Sequence, residues 1–319
     1  MDSVKVIADK IAKNIGAVIK GKDDVVRKTV IALLTGGHIL LEDVPGSGKT
    51  MIAKRIPTIL PSVDGTFKRI QMTPDMLPAD ITGVNIFDLK TSQFRFVKGP
   101  VFTNILIADE INRATPKTQA GLLECMEEEQ VTVDGNTWPM EDVFMVIATQ
   151  NPVDTQGVFP LPEAQVDRFL MKLYMEYPDH DSMIEIFRTH IQKDVLEQVT
   201  PVTSIEEIKN AGKQIEQVSI SDAVYSYVAD LVEATRTHES VVLGVSQRGG
   251  IALLRAAKTV AAIHERTYVL PDDIKEIACD VLAHRMILKN ALRVRRNAAV
   301  ELMKEILEQV PVPTEEMLK

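Results

Sequence analysis

The sequence predicts an α/β fold: a parallel sheet covered by helices, followed by a smaller all-helical domain. Three observations carry that expectation. Over the first half of the chain, short apolar runs alternate with helical patterns. A glycine-rich run, Val44-Pro45-Gly46-Ser47-Gly48-Lys49-Thr50, joins one apolar run to a helical pattern. Past Tyr177-Pro178-Asp179, strand signals nearly vanish and helical periodicity takes over. Buried parallel strands read as unbroken apolar segments, and alternation with helices implies cover on both sheet faces.

Taken in order, Met1–Ile15 mixes Asp and Lys with apolar residues at helical spacing, without the apolar core of a secretory signal. Val25–Leu34 is a second helix, and His38–Leu41 the first strand. Lys49–Ile59 reads as a helix behind the glycine run, and Phe67–Gln71 as the next strand. Asn85–Leu89 and Gln93–Val97 form a strand–turn–strand unit that does not belong to a minimal sheet. Ile105–Ala108 is a strand and Lys117–Glu129 a helix. Gln130–Val133 and Asn136–Trp138 flank Asp134-Gly135, a dipeptide that favours a tight hairpin turn. Phe144–Ala148 and Phe169–Met175 complete the strands. Helical patterns then occupy Ser182–Gln192, Ser204–Gln217, Ser221–Thr237, Gln247–Glu265, Pro271–His284 and Arg296–Gln309. The run Val310-Pro311-Val312-Pro313 cannot continue a helix. The expected domains are residues 1–178, the α/β core, and residues 179–319, the helical domain.

Bulk properties narrow the function classes. Of 319 residues, 45% are hydrophobic and 25% charged, enough to bury a full core in a soluble protein. No apolar run approaches the roughly 18 residues of a membrane span. Cys125 and Cys279 lie far apart within helical patterns, as buried thiols in a reducing cytoplasm would. The net charge of −9 and the 5% aromatic content disfavour nucleic acid, which needs cationic surface and stacking platforms.

The glycine run fits a phosphate-cradling P-loop. Gly46 and Gly48 let backbone N–H groups turn inward, and the following helix N-terminus adds to the anion site. Lys49 would reach the β- and γ-phosphates, and Thr50 would offer its hydroxyl to Mg²⁺. The pattern's first glycine is replaced by Asp43, preceded by Glu42. Two carboxylates beside a triphosphate repel it unless they point away. Asn104–Glu110 supplies a second acidic element: four apolar residues deliver Asp109 to a strand's carboxyl end, where it would hold the hydrated Mg²⁺. Glu110 follows on the turn, placed to polarise an attacking water. Phe144–Ala148 delivers Asn151 to a third strand end, within reach of the γ-phosphate or the water.

In this order the motifs resemble an AAA+ ATPase, and in wording the MoxR family. The matching segments are Leu41–Gly46, Arg69–Pro78, Ala108–Ala114, Leu161–Phe169 and Val310–Pro313. The likeness covers nearly the whole chain, and Asp43 in place of glycine also occurs in the family. It implies an αβα nucleotide-binding core with hairpin insertions and a helical lid. It implies an ATP site running from Val18, Ile19, Lys20 and Gly21 on the adenine side to Pro45, Gly46, Ser47, Gly48, Lys49, Thr50 and Met51. Leu161–Phe169 resembles the segment that carries an arginine finger, which makes Arg168 reach a neighbouring subunit's γ-phosphate. A local ion pair with Glu163 or Asp167 is the alternative. Gly244–Arg248 resembles the second sensor motif. Here Ser246 is a good helix N-cap, and Arg248 falls in the first turn, where the dipole disfavours a cation without an anionic partner; ATP is the expected one. The family often carries Pro and Ala around this Arg, where this chain has Gln247 and Gly249-Gly250. Gln71 is a candidate restraint on Glu110, and Arg113 either acts across a subunit boundary or is a solvated helix-start residue.

The resemblance further implies a ring, usually a hexamer, and a chaperone-like ATPase that remodels or activates a protein partner bearing a von Willebrand factor A domain. A nucleic acid translocase and a nucleotide-gated scaffold with little turnover are the alternatives. Phe94, Phe96 and Trp138, on the hairpins, either grip a client or pack on their own domain.

Overall fold

The computed structural model describes residues 3–18, 21–43, 63–151, 157–175, 200–289 and 297–314, with isolated positions between 180 and 188. Helices α1 (Val4–Val18) and α2 (Asp23–Thr35) come first. Asp23 and Asp24 open α2 where the helix dipole favours acids, and Gly36 closes it at φ 71°. Strand β1 (Ile39–Asp43) follows, then β2 (Val63–Asp64), β3 (Phe67–Gln71) and a short helix α3 (Pro78–Thr82). The first hairpin is β4 (Gly83–Asp88) with β5 (Gln93–Lys98). Strand β6 (Ile105–Asp109) leads through a 3₁₀ turn at Ile111–Arg113 to α4 (Pro116–Glu128). The second hairpin, β7 (Gln130–Val133) with β8 (Asn136–Pro139), precedes β9 (Met145–Gln150), α5 (Glu163–Val166) and β10 (Met171–Met175).

The expected strands assemble as one parallel sheet in the order β10-β1-β9-β6-β3. The register places Gln71 beside Asp109 and Glu42 beside Gln150, so the polar strand ends share one edge. Alternate residues feed two cores. Ile39, Leu41, Ile105, Ile107, Met145 and Ile147 face α1, α2 and the helical half. Leu40, Leu106, Ala108, Val146 and Ala148 face the layer containing α4. Both faces of the inner strands β1, β6 and β9 are therefore largely dry, which is why they lack polar alternation.

The second half is helical, with three short strands that the sequence did not announce. Strand β11 (Thr203–Ser204) pairs with β2, and leads into α6 (Ile205–Glu216), capped by Ser204 with Glu207. Helix α7 (Asp222–Thr237) is capped by Ser221. Strand β12 (Val241–Leu243) precedes α8 (Gln247–Ile263), α9 (Pro271–Leu282) and a 3₁₀ turn at Ala283–Arg285. Strand β13 (Ile287–Leu288) returns to β12, and α10 (Ala298–Gln309) ends the described helices. Strands of two or three residues carry no readable period. The expected helix at 49–59, most of 182–192, and the division at 178/179 lie outside the described residues. The helical half is bound to the core by ion pairs of α2 with α9: Arg27 to Glu276 at 2.8 Å and Lys28 to Asp280 at 2.8 Å.

The hairpin aromatics divide. Phe96 stacks on Trp138 at 4.8 Å and meets Phe102 edge-on, and Asn85 donates to Asp134 at 2.7 Å, so the hairpins brace each other. Phe94 is 73% exposed. Cys125 is buried, which pushes its thiol up to about 12, while Cys279 is half-buried.

Candidate functional site

The carboxyl edge of the sheet gathers the acidic machinery. Asp109 ends β6 and is buried at 2% exposure. Its Oδ2 accepts from Arg69 Nε at 2.6 Å, with a second Arg69 nitrogen at 2.5 Å. Its Oδ1 accepts from the Thr149 hydroxyl at 3.3 Å. A buried carboxylate requires such a partner, and Arg69 supplies it from the adjacent strand position. Arg69 is a functional neighbour that the sequence reading did not single out. Its signal was weak, because Lys68 and Arg69 stand side by side in a partly exposed strand at the end of the sheet order.

Glu110 leaves the strand in the left-handed region, φ 54°, a conformation costly for a non-glycine residue and frequent at functional sites. Its N–H donates to the Thr149 hydroxyl at 2.9 Å. Its carboxylate accepts from Gln71 Nε2 at 2.8 Å and pairs with Arg113 at 3.0 Å. Gln71 stands where a restraint on Glu110 needs it. Arg113 reaches its own chain's Glu110. The following turn is fixed by Gln119, whose amide donates to the carbonyls of Ile111, Ala114 and Phe159. Asn151 is buried at the end of β9, and its carbonyl accepts from Asn112 at 3.2 Å.

The charge conflict at Glu42 is resolved locally. Its carboxylate accepts from Lys172 Nζ at 2.6 Å and Gln150 Nε2 at 3.0 Å. It is thereby neutralised within the sheet. The loop itself, Pro45, Gly46, Ser47, Gly48, Lys49, Thr50 and Met51, lies outside the described residues, as do Ile19 and Lys20 and the side chains of Val18 and Asp43. Gly21 is described, at φ 69°. Asp109 offers a hard oxygen donor suited to hydrated Mg²⁺. Among the described residues no group of three or more His, Cys, Asp or Glu could hold a metal by itself.

Arg168 and Arg248 lie elsewhere. Arg168 precedes the amino end of β10, a strand's length, roughly 17 Å, from the acidic edge. Its Nε lies 2.7 Å from a Glu127 carboxylate oxygen, while Asp167 pairs with Arg285. Arg248 pairs with the same Glu127 at 2.7 Å. The anion that answers the first turn of α8 in this structure is Glu127. Ser246 does cap α8, accepting from Gly249 N–H. Gly249 has a packing reason, since a Cβ there would meet Arg285 Cδ at 2.8 Å.

Arg285 was missed by sequence reasoning because nothing marks one arginine in a helical tail. It is nearly buried and donates to Asp167 Oδ1 at 2.6 Å and to the carbonyls of Asp167, Phe169, Leu170 and Val281. Burial lowers its pKa while Asp167 opposes the shift. It ties the helical half to the segment carrying Arg168.

Comparison with known proteins agrees with this architecture. Residues 38–171 match the family described as ATPase family associated with various cellular activities (AAA), and residues 233–306 match the AAA lid domain. The chain is 45% identical to the Bacillus subtilis protein YeaC, covering 96% of this chain and 95% of that protein. It is 37% identical to Chaperone MoxR1 of Mycobacterium tuberculosis, over 93% and 80% of the two chains. A crystal structure of a candidate ATPase from Cytophaga hutchinsonii superposes with a TM-score of 0.88 at 38% identity, covering 98% of this chain and 96% of that one.

Proposed function

The chain belongs to the MoxR family of AAA+ ATPases, and from that premise we propose that it couples magnesium-dependent ATP hydrolysis to remodelling or maturation of a protein partner. The nucleotide would lie across the carboxyl edge of the sheet. Lys49 and the Gly46–Gly48 backbone would hold the phosphates, with Val18–Gly21 beside the adenine. Thr50 and Asp109 would hold Mg²⁺, which when bound offsets phosphate charge. Glu110 orients and polarises the attacking water, and Asn151 supports that water or the γ-phosphate.

The single observation that carries this reading is the geometry of Glu110. It is a carboxylate held poised by Gln71 and Arg113, one residue beyond the buried Asp109, at the strand edge where a parallel sheet binds ligands. Gln71 and Arg113 hold Glu110 until the site is filled. Arg168 and Arg248, on the opposite edge, serve a neighbouring copy's nucleotide in a closed ring, with a hexamer as the family expectation. A fixed guanidinium there offsets charge on the transferring phosphoryl group. A cytoplasmic partner bearing a von Willebrand factor A domain is the proposed recipient.

The test is calorimetry with ATP, with and without Mg²⁺, on wild type and Lys49→Ala. Micromolar uptake that requires the ion and weakens in the variant supports the reading; no uptake by folded protein ends it. Affinity purification from the native host tests the partner class separately.

A further inference from the structure

Glu127 occupies a position that neither the motifs nor the family match explains. It lies in the last turn of α4, and one of its oxygens accepts from Arg168 Nε while the other accepts from Arg248 NH1, each at 2.7 Å. These groups border a cavity of about 200 Å³ that Arg255 and Arg285 also line. Arg285 is committed to buried carbonyls and Asp167, with its side chain 3% exposed. Arg168 and Arg248 remain reachable from outside, with side chains 29% and 48% exposed.

Two guanidiniums this close repel each other, and a mobile arginine loses rotamer entropy on reaching an anion. A shared carboxylate removes the repulsion and fixes both. Glu127 is itself fixed: buried His38 donates from Nε2 to the Met126 carbonyl at 3.0 Å while its Nδ1 accepts from Val146 N–H at 3.0 Å. Burial lowers His38 to about 4, so the ring is neutral and can fill both roles. At its other end, α4 starts from the turn that Glu110 opens. A rigid helix of 13 residues, roughly 20 Å, therefore links Glu110 to the paired arginines.

We propose that Glu127 is a positioning residue that holds Arg168 and Arg248 as one two-pronged cation for the γ-phosphate bound by a neighbouring copy. The proposal rests on the trans assignment of these arginines made above. Arg168 meets Glu127 through Nε and keeps its side chain 29% exposed, so phosphate oxygens can approach it.

The experiment uses full-length protein and steady-state phosphate release. Glu127→Ala is expected to lower kcat ten- to a hundredfold with the KM for ATP unchanged, as misplacement of a catalytic group does. Glu127→Gln, of the same shape, should fall similarly, because its amide nitrogen faces one guanidinium donor with another; it serves should the alanine variant fold poorly. Mixing provides the readout that a structural role would not move. Glu127→Ala has an intact nucleotide site and Glu110→Gln has intact arginines, so together they should recover turnover that neither shows alone. Arg168→Ala mixed with Glu110→Gln is the control for the trans assignment. If that control fails to recover, the parent reading fails and the proposal with it. If the control recovers but the Glu127→Ala mixture does not, or if Glu127→Ala and Glu127→Gln keep or exceed wild-type kcat, Glu127 is no positioning residue and the trans assignment stands.

Discussion

At the level of single residues, neutralisation decides which carboxylates can do chemistry. Glu42, Asp109 and Glu110 all sit at the carboxyl edge, but their partners differ. Glu42 is bound by Lys172 and Gln150 inside the sheet. Asp109 is tied to Arg69 and buried. Glu110 is held by Gln71 and Arg113 at more exposed positions, where its restraints can be exchanged for water or substrate. Glu110→Gln is expected to retain ATP binding and lose turnover by about a hundredfold or more, the usual worth of a general base; calorimetry and phosphate release on one preparation check both halves. Equal turnover in the variant would remove Glu110 from the mechanism.

At the level of elements, the hairpins and the end of α9 show packing choosing between roles. Phe96 is clamped between Trp138 and Phe102, whereas Phe94 at the same hairpin is open to solvent. Phe96→Ala is expected to cost about 2 kcal/mol, from lost burial and stacking. Phe94→Ser should stay within about 0.5 kcal/mol. Urea midpoints at constant slope measure both, and the reverse order would contradict the packing described. Arg285 joins the helical half to the strand segment 167–170. Arg285→Met strands Asp167 and several carbonyls, and a loss of about 3 kcal/mol is expected. Because the same segment carries Arg168, its turnover should fall further than unfolding accounts for.

For the whole molecule, buried neutral imidazoles set an acid limit. His38 is held near 4 by burial, against an ordinary value of 6.5. Burial, reinforced by Arg285, also pushes His284 well down. Between these values the unfolded chain binds a proton at His38 that the native fold refuses. Stability is therefore complete above pH 6.5 and falls as pH drops toward 4. His38 alone contributes a loss of about 2 kcal/mol at pH 5 and about 3 kcal/mol at pH 4. Urea unfolding at pH 7.5 and pH 5 checks the sign, and His38→Gln should flatten the difference. Stability that rises on acidification would show that the imidazole is charged in the native state. His38 pins α4 to β1, so acid should also disturb the Glu127 cluster at one edge of the molecule before the Glu110 edge.

The sequence by itself determined the layered architecture. Continuous apolar runs at 105–108 and 144–148 had no other way to bury both faces, and Ser204, Ser221 and Ser246 announced the helix starts. It also determined the acidic edge, because Asp109, Glu110 and Asn151 follow directly from strands whose ends must coincide in a parallel sheet. What only the tertiary structure decided is how side chains distant in the chain share their charges. Arg168 and Arg248 meet on Glu127 from 41 and 121 residues away. Arg285 passes over Gly249 to reach Asp167. Periodicity records which face of an element is buried; it holds no information on which cation folds back to which carboxylate, since that depends on the packing of helices against the sheet.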